Sequence, residues 1–149
     1  MSNRLYPPTP LLGVCTAIWR DDRILLACRA APPNAGTWAM PGGLVEVGET
    51  LEEAARREVL EETALHVDDL VFNRFTEIII PDDAGRTQRH FVLAMFVALR
   101  NVGTAVAGDD AAQVRWFSEA ELENVELTRN TLVFVRESAA ILKSGTGSA

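Results

Sequence analysis

Apolar positions along the chain recur with two spacings, and the switches between them predict the elements. Residues 11–19 and 23–29 are apolar and rich in β-formers, with Asp21-Asp22 as a turn between them, so they read as a hairpin. Residues 30–37 (AAPPNAGT) form a loop by their Pro, Asn and Gly content. Residues 38–40 are expected to be extended, Pro41-Gly42-Gly43 to break the chain, and residues 44–47 to form a brief strand ended by Gly48. Thr50-Leu51-Glu52-Glu53 matches a capping box, in which the Thr hydroxyl and the Glu carboxylate satisfy orphan amides at a helix start. Leu51, Ala55 and Val59 then recur every four residues as an apolar stripe, and the helix should stop near residues 63–64. Residues 70–80 and 87–99 flank the turn-rich 81–86 (PDDAGR) and predict a long hairpin. A glycine-containing loop over 101–110 leads to a short strand at 113–117. Ser118-Glu119-Ala120-Glu121 is a second capping box opening a short helix, and 128–143 reads as a final amphipathic helix with Leu132, Val135, Ala139 and Leu142 on one face. Strands and helices alternate irregularly, with hairpins among them, which points to a mixed sheet covered by helices.

Composition narrows the picture. A chain of 149 residues with 48% apolar and 23% charged residues makes one domain, with a core over about 8–143, and needs neither disulfides nor structural zinc. Residues 1–10 carry three prolines and no apolar core of a signal peptide, and no apolar run approaches the roughly 18–20 residues that span a bilayer. No membrane association is expected. Cys15 and Cys28 form no CxxC pair and read as reduced thiols buried in strands, which fits the cytoplasm. The tail 144–149 (SGTGSA) is expected to fray.

Net charge is −7, from 14 Lys+Arg and 21 Asp+Glu, which argues against a generic nucleic-acid binder. Its distribution says more. Residues 46–62 hold seven glutamates and two arginines, a charge of −5, and the remaining 132 residues carry −2. Glu58, Glu61 and Glu62 stand at i, i+3 and i+4, so their carboxylates share one patch of the helix. They occupy the last turns, where the macrodipole is negative and anions are disfavoured. Arg57, four residues from both Glu53 and Glu61, relieves part of this. From spacing alone such a glutamate-rich face is usually solvated surface. A divalent cation would reverse its cost, because Mg²⁺ is held by a few carboxylates plus substrate phosphates and water.

Gly43, five residues, Glu49, seven residues, then Arg57-Glu58-Val59-Leu60-Glu61-Glu62-Thr63-Ala64-Leu65 resembles the 23-residue signature of the Nudix hydrolases. Every position matches except Ala64, which stands where the family usually has glycine. The family glycine sits where a left-handed C-cap is expected, so alanine there should cost of order 1 kcal/mol without touching the proposed metal ligands. The opening hairpin ending in Cys28-Arg29, the approach Gly36-Thr37-Trp38-Ala39-Met40-Pro41-Gly42-Gly43, and Ala107-Gly108-Asp109-Asp110 leading to Arg115-Trp116 are similar to the bacterial branch called ADP-ribose pyrophosphatase-like.

The resemblance implies an α/β fold, an α/β/α sandwich around a mixed sheet, and metal-dependent hydrolysis of the pyrophosphate bond in a nucleoside diphosphate linked to another moiety, with ADP-ribose or a similar nucleotide sugar foremost. It implies Mg²⁺, with Mn²⁺ as a substitute, held by Glu58, Glu61, Glu62 and the Gly42 carbonyl, with Arg57 orienting the carboxylates. Arg57, Glu58 and Glu61 are the expected catalytic set. The general base is Glu58 or Glu61 from the helix, or Asp109 or Asp110 from the later loop. Arg29, Trp38, Asp109 and Asp110 are candidate substrate contacts, each with an ordinary structural alternative. Pro81 and His90 are weaker candidates still, and Glu49 reads as either an outer support of the ligands or a helix-start carboxylate. A homodimer is compatible with the family, though no sequence feature demands it. Two other readings compete: clean-up of a (d)NTP or oxidised nucleotide, and a catalytically silent nucleotide sensor, against which the complete set of glutamates speaks. A di-iron site fails because neither His66 nor His90 follows a glutamate by three, and an EF-hand at Asp82 fails because its twelfth position is Leu93.

Overall fold

The turn at Asp21-Asp22 sets the architecture. Both residues take left-handed conformations, with φ of 51° and 63°, the backbone of a two-residue hairpin turn that Asp tolerates. It joins β1 (Leu11–Arg20) to β2 (Arg23–Arg29), but the two strands pair only at Trp19 with Ile24 and Arg20 with Arg23. Beyond those pairs the strands fork. β1 runs parallel to β6 (Thr87–Val102) from Leu11 opposite Phe91 to Ile18 opposite Ala98, whereas β2 runs antiparallel to β7 (Ala111–Phe117). The expected hairpin is therefore real but short.

A computed structural model describes residues 4–30, 35–108 and 111–147, with side chains through residue 144. Its seven-stranded mixed sheet has the order β3-β2-β1-β6-β5, with β4 beside β1 and β7 beside β2. β3 is Trp38–Ala39, β4 is Gly42–Leu44, and β5 is His66–Pro81. The Gly-Gly pair begins a strand and does not break the chain: Gly42 pairs with Cys15, Gly43 with Val14 and Leu44 with Gly13. Residues 45–47, expected as strand, lead into the turn at Gly48. β5 and β6 are the long hairpin, with β5 longer than expected at both ends and β6 starting at Thr87 as expected but running on to Val102, and its tip is fixed by Asp82, whose carboxylate accepts from the amides of Ala84 and Arg86 at 2.9 Å each.

Alternation along the central strands sorts the core into two layers. Val14 and Ile18 of β1, with Ala94, Phe96 and Ala98 of β6, pack toward α1 (Leu51–Thr63). Ala17 of β1, with Met95 and Val97 of β6, packs on the other side toward α2 (Thr131–Gly147) and its Phe134 and Val135. This is the expected α/β/α sandwich. α2 starts three residues later than the sequence suggested, because Asn130 takes φ of 67° and Thr128 and Thr131 bond to each other through their hydroxyls at 2.7 Å. It also runs on to Gly147, three residues beyond the start of the tail expected to fray; Ser148 and Ala149 lie outside the described residues. The second capping box forms, yet it opens only a 3₁₀ turn over Ala120–Asn124. Among the described residues no helix is long and apolar enough to cross a membrane, and both cysteines are free thiols.

Candidate active site

The fork between β1 and β2 leaves a cleft of about 310 Å³ that is floored by β4 and flanked by α1. Ala27, Cys28 and Arg29 line it from β2, Gly42 and Gly43 from β4, and Glu58, Glu61 and Glu62 from α1.

Helix α1 is placed by local chemistry at both ends. At its start the Glu53 amide donates to Thr50 Oγ1 at 3.1 Å, and the Thr50 amide donates to Glu53 Oε1 at 2.8 Å. Ala54, Ala55, Val59 and Thr63 are buried against the sheet, which turns the 58, 61, 62 face toward the cleft. At its end Ala64 takes φ of 65° and ψ of 8°, the left-handed cap, and its amide donates to Leu60 O at 3.0 Å. The loop after β6 closes over this end: the Val106 amide donates to Thr63 O at 2.9 Å, and the Gly108 amide to Glu62 O at 3.0 Å. Orphan carbonyls at the negative pole thus find donors, which eases the cost of acidic side chains there.

The glycines of β4 have a steric cause. A Cβ on Gly43 would fall on the carboxylate of Glu58, and one on Gly42 would fall on the Val14 carbonyl and the Cys15 thiol. β4 is threaded between β1 and α1 with no room for a side chain at either position. The Gly42 amide donates to Glu62 Oε1 at 2.9 Å, which ties β4 to the helix. Burial, together with Glu62 and then Glu58, pushes the Cys15 thiol up to about 12.

Arg57 is the hub of the acidic face. Its Nε donates to Glu49 Oε2 at 2.6 Å and its Nη2 to Glu49 Oε1 at 2.9 Å, a bidentate pair. Nη2 also donates to the Leu44 carbonyl at 3.0 Å, and Nη1 donates to Glu58 Oε2 at 2.9 Å and Glu61 Oε1 at 3.1 Å. The hydrogen bonds from Arg57, then that from the Glu46 amide, hold the Glu49 carboxyl well below its ordinary value, down to about 2. The hydrogen bond to Glu49 in turn raises Arg57 further. The expected contact with Glu53 does not form, because that carboxylate is committed to the capping box. Glu49 is thereby an anchor of Arg57.

Other expected site residues divide. Arg29 lies on the cleft, at the exposed end of β2. Trp38 does not: it is 7% exposed and packs edge-on against Phe117 with ring centroids 5.0 Å apart, so its ring belongs to the core and is not a stacking platform. Asp109 and Asp110 lie outside the described residues. His90 pairs opposite Ile79 in the hairpin, and Pro81 ends β5 opposite Thr87, so neither lines the cleft. Arg4 and Ala111 are among the lining residues that sequence reasoning did not single out. Neither belongs to a motif, and only the fold brings them to the cleft.

Among the described residues no three His, Cys, Asp or Glu side chains already stand in a coordination cluster. Glu58 and Glu61 are turned to Arg57, and Glu62 to the Gly42 amide. All three carboxylates nevertheless share one cleft with a glycine backbone, and the space above Gly43 that a Cβ would fill is taken by the Glu58 carboxylate. An all-oxygen set of this kind fits a hard cation.

Residues 9–136 match the sequence profile of the family described as NUDIX domain. The ADP-ribose pyrophosphatase of Methanocaldococcus jannaschii is 34% identical over 125 residues, 83% of this chain and 71% of that protein. The putative 8-oxo-dGTP diphosphatase 2 of Mycobacterium tuberculosis is 35% identical over 114 residues, 76% of this chain and 77% of that protein. Among solved structures, the MutT NUDIX hydrolase from Burkholderia pseudomallei superposes with a TM-score of 0.76 at 29% identity, covering 87% of this chain and 98% of that one.

Proposed function

The chain belongs to the Nudix hydrolases, enzymes that act on nucleoside diphosphate derivatives, and on that premise we propose that its substrate is ADP-ribose or a nucleotide sugar of the same build. The observation that carries this reading is the single cleft shared by Glu58, Glu61, Glu62, Gly42 and Gly43, with Arg57 joining the carboxylates to β4 through Leu44 O. The relative named an ADP-ribose pyrophosphatase, matched over most of both chains, supports the choice of substrate.

Glu58, Glu61 and Glu62, with the Gly42 carbonyl, would hold Mg²⁺ or Mn²⁺. A divalent ion there would supply the positive charge that an anionic pyrophosphate needs in an acidic cleft and would activate water for in-line displacement. Arg57 orients Glu58 and Glu61 by one oxygen each, and Glu49 holds Arg57 in place. Glu58 or Glu61 from the helix, or Asp109 or Asp110 from the loop before β7, accepts the proton of the attacking water. Arg29, at the cleft edge, offers a guanidinium to a substrate phosphate. The free thiols of Cys15 and Cys28 suit a reducing cytoplasm.

A second reading, hydrolysis of an oxidised purine nucleotide, draws on the equally similar mycobacterial relative. One experiment separates the two: initial rates on ADP-ribose, sugar nucleotides, dinucleoside polyphosphates and (d)NTPs, including 8-oxo-dGTP, with Mg²⁺ or Mn²⁺. ADP-ribose should give the highest kcat/KM and release AMP and ribose 5-phosphate. A higher kcat/KM on 8-oxo-dGTP would transfer the assignment to the second reading.

A further inference from the structure

We propose that residues 4–10 form a strap that carries Arg4 into the carboxylate cleft as a contact for a phosphate oxygen of the bound nucleotide, with Tyr6 as the strap's positioning residue. The inference rests on the reading of the cleft as a nucleoside diphosphate site, and it adds a residue that no motif supplies.

Arg4 lines the same cleft as Glu58, Glu61, Glu62 and Arg29. Two residues on, the chain is pinned to the tip of the β5–β6 hairpin in three ways. The Tyr6 amide donates to Gln88 O at 2.7 Å. The Tyr6 hydroxyl donates to Asp82 Oδ2 at 2.7 Å. The Arg86 guanidinium lies over the Tyr6 ring, 4.5 Å from its centroid. Asp82 is itself fixed by the amides of Ala84 and Arg86, so the anchor point is rigid. Tyr6 holds φ of 50°, a left-handed conformation that an aromatic residue rarely adopts and keeps only where its surroundings over-determine it. The kink is what redirects the chain from the hairpin tip toward the cleft.

Charge completes the argument. Among the described residues no hydrogen bond or ion pair engages Arg4, although three glutamates line the same cleft. Those glutamates have other engagements: Glu58 and Glu61 with Arg57, and Glu62 with the Gly42 amide. A structural arginine in that position would have been drawn into the acidic network, as Arg57 is. Once the glutamates hold cations, a phosphate that enters with the ligand is a counter-ion for Arg4. A guanidinium suits this role, because its planar donors match two phosphate oxygens at once.

The test uses the full chain with α,β-methylene ADP, whose P–CH₂–P bridge resists hydrolysis, and Mg²⁺, with Kd measured by calorimetry. Arg4→Ala should weaken binding by about tenfold, with an unchanged melting temperature because the side chain is exposed; Arg4→Lys should recover part of the loss. Tyr6→Phe keeps the ring under Arg86 and removes only the bond to Asp82, and should weaken binding by a few-fold. In the Arg4→Ala background Tyr6→Phe should cost nothing further, because its effect runs through Arg4. Equal Kd for Arg4→Ala and wild type overturns the contact, as does a wild-type protein that fails to bind the probe. A full additional loss from Tyr6→Phe in the Arg4→Ala background overturns the strap. Because binding is read without turnover, a failed contact leaves the proposed hydrolysis intact, and a failed substrate panel leaves this binding result intact.

Discussion

Ala64→Gly should stabilise the protein, and the size of the gain follows from the geometry at the end of α1. Ala64 holds φ of 65° and ψ of 8° as the left-handed cap, with its amide bonded to Leu60 O at 3.0 Å. For an L-residue with a Cβ this conformation costs roughly 1–2 kcal/mol, which glycine avoids. Glycine gives back about 0.4–1 kcal/mol through the greater freedom of its unfolded chain. The methyl group of Ala64 is exposed, so its removal forfeits little burial. The difference leaves a net stabilisation of about 0.5–1 kcal/mol, and at roughly 2–4 °C per kcal/mol for a chain of this size the melting temperature should rise by about 1–4 °C. Calorimetry in EDTA measures this without stabilisation by bound metal, which would otherwise raise both variants unequally. The rate on the preferred substrate should stay within about twofold, since the cap holds backbone and touches no cleft residue. A melting temperature below that of wild type would show that the methyl group makes a contact worth more than the strain, and would refute the reasoning.

Three further outcomes follow from the site. Glu62→Gln should lower kcat by about 100-fold or more, beyond what loss of an outer partner costs, while circular dichroism shows an unchanged fold; near wild-type turnover in saturating Mg²⁺ would remove Glu62 from the site. Gly43→Ala places a Cβ on the Glu58 carboxylate and should cut kcat by about 10–100-fold and lower the melting temperature; a fully active variant would mean that Glu58 is dispensable. Glu49 has a folded pKa of about 2 against its ordinary 4.5, so the stability that it contributes is present above about pH 4.5 and is lost as pH falls toward 2. Acid unfolding should therefore show wild type more stable than Glu49→Gln at pH 6, with the gap closing toward pH 2; a gap that stays constant over that range would contradict the role of Arg57 in holding the carboxylate down.

What was legible in the sequence was local. The Asp21-Asp22 turn and the Thr50–Glu53 box each bring together residues within four positions, and their chemistry is complete in the sequence itself. The fork of β1 and β2 is not local, because the partner that draws β1 away is β6, some eighty residues on. Gly42 and Gly43 look like a turn to any rule based on chain flexibility, and only the squeeze between β1 and the Glu58 carboxylate shows them to be strand residues. Trp38 fails as a substrate contact for a related reason: the alternation of a two-residue strand cannot say which face is core, and Phe117 decides it. The glutamates of α1 were placed correctly because helical spacing alone brings them together. Arg4 left no signal, since its place depends on a kink at Tyr6 and a hairpin tip more than seventy residues away.

The division of labour among five of the seven glutamates of residues 46–62 shows how a segment with a charge of −5 stays folded while three carboxylates face one cleft. Glu53 is spent on the helix start, and Glu49 gives both oxygens to Arg57. Glu58 and Glu61 each lend Arg57 one oxygen, through Oε2 and Oε1, and Glu62 lends one to the Gly42 amide. Glu61 is the most exposed of the three partners of Arg57, at 43%, against 17% for Glu49 and 15% for Glu58. Arg57 is thus tethered firmly at Glu49 and Leu44 O and more loosely toward the cleft. A cation that competes for Glu61 need not dislodge the arginine, because its bidentate partner Glu49 is not among the cleft-lining residues. If the proposed cation binds, the cleft carboxylates can change partners while the bonds among Glu49, Arg57 and Leu44 O stay in place.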